Sequence, residues 1–314
     1  MSWITTELKN VTVKIGSGST PRGGAEAYKE SGISLIRSQN ILDLKFSEDG
    51  LAFIDDRQAE SLKNVTVEEN DVLLNITGDS VARCCGAPKN FLPARVNQHV
   101  AILRADKSKL NSDFLKYYLF DAKEQLLVFS EIGGTRNALT KNMLENFSIC
   151  LPPLPEQQAI ASVLSALDDK IDLLQRQNQT LEQMAVTLFR QWFIEEAKED
   201  WEEVTIGDIF TLKGGSTPST KESSFWDGNI SWTSPRDLSN SKSIFMFDTE
   251  RKITEAGLAK ISSGLLPKRT LLMSSRAPIG YLAITDIEVA INQGYIAIPE
   301  HQTYSTEFMY LWCL

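Results

Sequence analysis

The segment Gly16-Ser17-Gly18-Ser19-Thr20 is the first place along this 314-residue chain where backbone N–H groups and hydroxyls are dense enough to hold an anion. It lacks the lysine of a phosphate-binding P-loop and the third glycine of a dinucleotide fingerprint. A tight turn, or a backbone nest beside a phosphate, is the reading its composition favours. The two histidines, His99 and His301, lie far apart in sequence and support no Ser/His/Asp constellation. Cys84 and Cys85 are adjacent, which is not metal-ligand spacing, and Cys150 and Cys313 stand alone, so no zinc site is expected. Asp168-Asp169 falls on a regular helical pattern and reads as a solvated face, not as a carboxylate pair for acid–base work.

Leu151-Pro152-Pro153-Leu154 has the Pro-Pro pair of amino-methyltransferase motifs without the Asn or Asp and the aromatic residue that would hold a target base. No catalytic centre is expected, and no cofactor bound by this chain.

What stands out instead is duplication. Gly18-Ser19-Thr20-Pro21 recurs 197 positions later as Gly215-Ser216-Thr217-Pro218. At the same offset Ile33-Ser34 falls on Ile230-Ser231, and Arg37-Ser38-Gln39-Asn40 falls on Ser234-Pro235-Arg236-Asp237. The offset then drifts by one to three residues. Leu73-Leu74 is matched to Leu271-Leu272, Val96-Asn97-Gln98 to Ile291-Asn292-Gln293, and Phe114-Leu115 to Phe308-Met309. Two copies of one domain suit a protein that grips a long, repetitive object at two places.

Between the copies lies a spacer. Pro152-Pro153-Leu154-Pro155 closes the first copy and opens a helix. Ile160, Leu164, Leu167, Ile171, Leu174, Asn178, Leu181, Ala185, Leu188 and Trp192 then follow at steps of four and three, with no Gly or Pro among them. That is a coiled-coil seam over more than four heptads. About 40 residues at ~1.5 Å each give a helix of ~60 Å. Asn178 on the seam either fixes register and partner number or marks a splayed point. The chain has no second heptad tract, so this helix must pair in trans or dock on another protein. Glu156-Gln157-Gln158 is placed to anchor its start.

The fold class expected is α+β, with mixed α/β domains at 1–150 and 200–314 joined by a helix at 151–199. Strands are expected at 33–36, 72–76 and 100–103, with counterparts at 271–273 and 295–298. A helix is expected at 114–129, capped by Asn111, Ser112 or Asp113. The second copy reaches only into its equivalent of that helix and lacks a match to 120–150. It is expected to be incomplete.

Composition, 42% hydrophobic and 23% charged, is that of a globular protein. No apolar run reaches the ~18 residues of a membrane span, and Met1-Ser2-Trp3-Ile4-Thr5 is not a signal-peptide start, so the expected location is the cytoplasm, away from membranes. The net charge of −9 argues against a nucleic-acid partner. Its distribution softens that, because the spacer carries −5 of it, while 75–110 is net +4 and 260–285 has four basic residues and no acidic one.

The run Leu151-Pro152-Pro153-Leu154-Pro155-Glu156-Gln157-Gln158-Ala159-Ile160, continuing through Leu164, Leu167, Asp168 and Ile171 to Gln191-Trp192-Phe193, closely resembles the linking helix of type I restriction–modification specificity subunits. The Gly-Ser-Thr-Pro openings, preceded by Trp3 and Trp201, resemble the start of that family's target-recognition domains. The Asn-Gln pairs fall where the family often has one. The resemblance implies a non-catalytic subunit that reads a split double-stranded DNA target, with paired helices setting the distance between halves. It implies methylation subunits that use S-adenosylmethionine to methylate adenine, and motor-nuclease subunits that use ATP and Mg2+ to cleave. It also implies a second helix, which this sequence lacks. Either the sequence is truncated, or two chains pair their heptad helices antiparallel as a C2 homodimer, the favoured arrangement. On this footing Arg37, Gln39 and Asn40 are candidates for base edges. Ser17, Ser19, Thr20, Arg22, Lys89, Arg95 and Arg136 are candidates for phosphate contacts. Asn97 and Gln98 complete the first set. Lys213, Ser216, Thr217, Arg236, Ser275 and Arg276 are counterparts in the second copy. The competing class is a coiled-coil adaptor with protein- or carbohydrate-binding domains, to which the pI of 5.0 lends support.

Overall fold

A computed structural model describes residues 3–21, 23, 27–131, 137–239, 243–276 and 278–314. The chain divides into two compact units, Met1–Gln175 and Arg176–Leu314, the division falling at a position within the spacer helix.

The first unit contains β1 (Ile4–Glu7), β2 (Thr12–Ser17), β3 (Ile33–Ile36), β4 (Ala52–Ile54), α1 (Asp56–Ser61), β5 (Thr66–Val67), β6 (Val72–Asn75), β7 (Cys84–Gly86), β8 (Ala94–Val96) and β9 (Val100–Ala105). Then come α2 (Ser112–Asp121), α3 (Lys123–Glu131), α4 (Lys141–Glu145), β10 (Ser148–Leu151) and the start of α5 (Leu154–Arg190). One sheet has the order β2-β9-β6-β7, a second β4-β3-β8-β5, and β1 pairs with β10.

The apolar runs of β6 and β9 do not alternate with polar residues because their sheet is covered on both faces. Val72, Leu74, Ala101 and Leu103 face a core with Phe114, Leu115 and Leu119 of α2. Leu73, Val100 and Ile102 face the other way, onto Leu35, Ile36, Ala94 and Val96 of the second sheet. Cys84 and Cys85 divide in the same manner, one to each core. Asn111 caps α2, its side chain accepting from the Phe114 N–H at 2.8 Å. The single helix expected at 114–129 is two, α2 and α3, interrupted at Ala122.

The second unit contains α6 (Ile206–Ile209), β11 (Lys213–Gly214), β12 (Trp226–Thr233), α7 (Pro235–Ser239), β13 (Phe245–Met246), β14 (Arg251–Ile253), α8 (Glu255–Leu258), β15 (Leu271–Ser274), β16 (Leu282–Thr285), β17 (Ala290–Ile291), β18 (Tyr295–Ile298) and α9 (Thr306–Cys313). Its sheets run β11-β18-β15-β16-β13 and β14-β12-β17. Apart from the added edge strand β13, and an isolated Leu266–Val289 bridge where the first unit has β5, that is the order of the first unit. In both units the strand after the Gly-Ser-Thr segment pairs parallel with the strand before the Asn-Gln pair, β3 with β8 and β12 with β17. The strand pairing corrects one sequence match. Asn75 lies opposite Val100 and Ser274 opposite Tyr295, each two residues past its Asn-Gln pair, so Val72, not Leu73, corresponds to Leu271.

The helix is shorter than 151–199. It begins at Leu154 and gives way to a π turn at Gln191–Glu195. Trp192 lies in that turn, so the seam's regular spacing ends at Leu188. The anchor is Gln157, which is buried. Its amide donates to the carbonyls of Lys109 at 3.0 Å and Pro152 at 2.9 Å, and its oxygen accepts from the Asn111 N–H at 2.9 Å.

Candidate nucleic-acid interface

The loops that leave β3 and β8 start side by side, because Ile36 and Val96 are paired at the ends of parallel strands. Asn97 N–H donates to the Ile36 carbonyl at 3.0 Å, and in the second unit Asn292 N–H donates to Thr233 at 3.1 Å. Across this point runs the Gly-Ser-Thr segment. Ser19 N–H donates to Val96 at 3.1 Å, and Ser216 N–H to Ile291 at 3.0 Å. A Cβ on Gly18 would stand 1.8 Å from the Val96 carbonyl oxygen, and one on Gly215 1.9 Å from that of Ile291. The glycines are there for close backbone passage.

The two sequence motifs that recur, Gly-Ser-Thr and Asn-Gln, therefore meet. The Thr20 hydroxyl bonds the Gln98 side-chain oxygen, and Thr217 donates to that of Gln293 at 2.7 Å. In the first unit the contact extends through His99, whose ring lies 3.1 Å from the Gln98 amide nitrogen and 2.6 Å from the Thr77 hydroxyl. Nothing in the sequence singles out Thr77, and His99 is weighed there only as a catalytic or metal-binding residue, because neither belongs to a repeated motif. Gly294 stands where the first unit has His99.

Several candidates are not available to a ligand. Asn40 is fully buried. Its oxygen accepts from Arg37 N–H at 3.0 Å, and its amide donates to Ser47 and Asp49 at 3.0 and 3.1 Å. Asp237 does the same for the second unit, accepting from Ser234 N–H at 2.8 Å and Glu250 N–H at 3.0 Å. Both pin the neck of a loop, which corrects the expectation of base contact by Asn40. Asn97 is corrected likewise. It is 6% exposed, and its oxygen accepts from His99 N–H at 3.1 Å, as Asn292 accepts from Gly294 at 2.8 Å.

Arg37 is half-buried, with one guanidinium nitrogen on the Gly50 carbonyl at 2.5 Å, the Tyr28 ring 5.3 Å away and a buried Nε without a partner. Arg95 lies within β8, half-buried, and donates to the Ala59 carbonyl at 3.1 Å. Burial lowers its pKa. Lys89 pairs with Glu69 at 2.8 Å, and Arg104 is bonded to Asp71 and Glu68, so much of the positive segment 75–110 is neutralised locally. Ser216 joins the Lys260 carbonyl, at 2.8 Å, to the Ser262 N–H, at 3.1 Å. Ser275 is exposed, with its hydroxyl 3.1 Å from the Gly294 carbonyl.

Ser17, Ser19, Gln39, Gln98, Lys213, Thr217, Arg236 and Arg276 are exposed, and Thr20 is half-exposed. Arg236 Nε lies 3.9 Å from a Glu250 carboxylate oxygen. Arg22 and Arg136 lie outside the described residues.

The heptad seam is a second surface. Ile160, Leu164 and Ala185 are half-buried. Leu167 (57% exposed), Ile171 (54%), Leu174 (45%), Leu181 (62%) and Leu188 (39%) are open to solvent, as is Asn178. Among the described residues no group of three or more His, Cys, Asp or Glu could hold a metal ion, and no described helix is long and apolar enough to cross a membrane.

Comparison with known proteins places this architecture in a class of DNA-specificity domains. Residues 2–183 and 198–314 both match the family described as type I restriction modification DNA specificity domain, and the chain belongs to that family. It is 40% identical over 124 residues to the type I restriction enzyme MjaIX specificity subunit of Methanocaldococcus jannaschii, an alignment covering 40% of this chain and 29% of that protein. It is 23% identical over 336 residues to the MjaX specificity subunit assigned to the same organism, covering 99% of this chain and 75% of the relative. The crystal structure of the type I restriction–modification S subunit from M. genitalium has the same fold, with a TM-score of 0.59 at 17% identity, covering 99% of this chain and 76% of that one.

Proposed function

We propose that this chain is a DNA-reading, non-catalytic subunit of a type I restriction–modification complex. The observation that carries the reading is the repetition, in both units, of one loop platform at the ends of two parallel strands, held by the Thr20–Gln98 and Thr217–Gln293 contacts. Exposed polar side chains of the platform contact double-stranded DNA, with Gln39, Gln98 and Arg276 at base edges and Ser17, Ser19, Lys213 and Arg236 on phosphates. Methylation subunits carrying S-adenosylmethionine and motor-nuclease subunits carrying ATP and Mg2+ supply the chemistry, in the cytoplasm. The open seam of α5 supports pairing of two chains as a homodimer.

The test is co-expression with methylation subunits, followed by mapping of methylated adenines by long-read sequencing. A split motif is expected. Identical inverted halves would mean a homodimer using one domain twice, and different halves would mean that both units read. A stable complex that leaves DNA unmethylated, or no complex at all, sinks the reading.

A further inference from the structure

The two units repeat one contact and differ beside it. Thr20 and Gln98 meet in the first unit as Thr217 and Gln293 do in the second. One residue further on, the first unit has a half-buried His99, whereas Gly294 offers the second unit no side chain. His99 adds a second hold on the same glutamine. Its Nδ1 lies 2.6 Å from the Thr77 hydroxyl, and its Nε2 lies 3.1 Å from the Gln98 amide nitrogen. The backbone beneath the ring is fixed too, because His99 N–H donates to the buried Asn97 side chain at 3.1 Å.

A glutamine side chain has two oxygen lone pairs and two N–H donors. Thr20 takes one lone pair and, in the tautomer that carries its hydrogen on Nδ1, His99 takes one N–H. One acceptor and one donor are left on an exposed side chain. Exchanging the two ends of the amide leaves the same remainder. Held at both ends, the amide cannot turn to offer two donors or two acceptors. In the major groove adenine alone carries a donor and an acceptor on one base edge, N6–H and N7, whereas guanine presents two acceptors.

We infer that Gln98 is a specificity-determining residue that reads an adenine in the half-site contacted by the first unit, with His99 as the positioning residue that makes the reading strict. The inference rests on the DNA-reading function proposed above. Gln293 keeps the Thr217 contact with no ring beside it, so the second unit discriminates less at the equivalent base.

The test uses the complex assembled with methylation subunits and a duplex carrying its mapped motif. Adenines are replaced one at a time by 7-deazaadenine, which removes the N7 acceptor, and by purine, which removes the N6 amino group. At one adenine each replacement is expected to weaken binding roughly fivefold, half the worth of a bidentate pair. Gln98→Glu keeps an oxygen for Thr20 but has no N–H, so it should lose the sensitivity to 7-deazaadenine and keep that to purine. His99→Ala should lower both sensitivities. His99→Gln, whose oxygen can accept from the Gln98 amide, should restore them. If no adenine is sensitive to both replacements, or if Gln98→Glu still discriminates against 7-deazaadenine, the assignment to Gln98 is overturned while DNA reading stands. Unchanged sensitivities in His99→Ala, or a loss that His99→Gln does not restore, would overturn the positioning role. Absence of any sequence-specific binding would overturn the DNA-reading function as well.

Discussion

Gly18 and Gly215 show how little room the platform leaves. An alanine at Gly18 must push Val96, and with it the strand end that launches Asn97 and Gln98. We expect Gly18→Ala to destabilise the first unit by about 2 kcal/mol, the middle of the range for overpacking, read from denaturant unfolding. A loss under half of that would show that the segment shifts freely. The paired cysteines make a second residue-scale prediction. Burial pushes both thiols up from the ordinary 9.0 to about 12. The folded state therefore holds protons that the unfolded state gives up. That contribution is intact below pH 9 and is lost as pH rises from 9 toward 12. Native protein should resist thiol reagents at Cys84 and Cys85 at pH 8, and alkaline destabilisation should lessen in Cys84→Ala/Cys85→Ala. Rapid labelling without unfolding would contradict the burial. At this scale the sequence was a partial guide. It showed that Asn40 and Asn97 are good hydrogen-bonding groups. Their partners are backbone groups brought in by the fold, up to nine residues away, and no motif announces those. The Thr–Gln contact spans 78 residues in the first unit and 76 in the second, and only the repetition hinted at it.

At the scale of elements, the spacer helix was the most legible part, because a period of 3.5 over four heptads has few alternative explanations. Its ends were less so. The proline-rich entry and the π turn bound it at Leu154 and Arg190. Gln157 fastens this helix to the first unit through three hydrogen bonds in a buried setting. Gln157→Ala would strand two carbonyls and an N–H, at a cost of about 3 kcal/mol. Calorimetry showing an unchanged unfolding temperature would refute that role. The exposed seam makes the opposite kind of prediction. Leu174→Glu alters no core contact, so circular dichroism should be unchanged. Sedimentation should show loss of any dimer formed by the parent. A parent that is monomeric at all concentrations, or a variant that dimerises equally, would exclude pairing through this face.

On the scale of the whole molecule, the acidic balance and the proposed DNA partner are reconciled by where charges sit and by which are paired. The spacer holds more than half of the net charge, and within 75–110 Lys89 and Arg104 are tied to Glu69, Glu68 and Asp71. That leaves fewer cations of this segment to meet phosphates. Binding of the assembled complex should therefore weaken with added salt, with a shallow logarithmic slope corresponding to about three to five phosphates for this chain's share. Affinity that does not change between low and moderate salt would count against contact with a duplex. The duplication itself was readable from four residues repeated at a fixed interval. The added strand β13 and the one-residue slip at Leu271 were not, because an insertion at a sheet edge changes no apolar pattern.

Asn40 and Asp237 brace the same turn with different side chains, and the segments beyond those braces differ freely between the copies. Heredity can exploit such a division. A gene built this way changes its vocabulary through a few codons at the loop tips while its grammar, written in crowded glycines, braced side chains and strand ends, is transmitted unaltered. Most random changes at the tips then yield a folded protein with a new preference instead of an unfolded one, so diversification comes at small risk to the lineage that carries it.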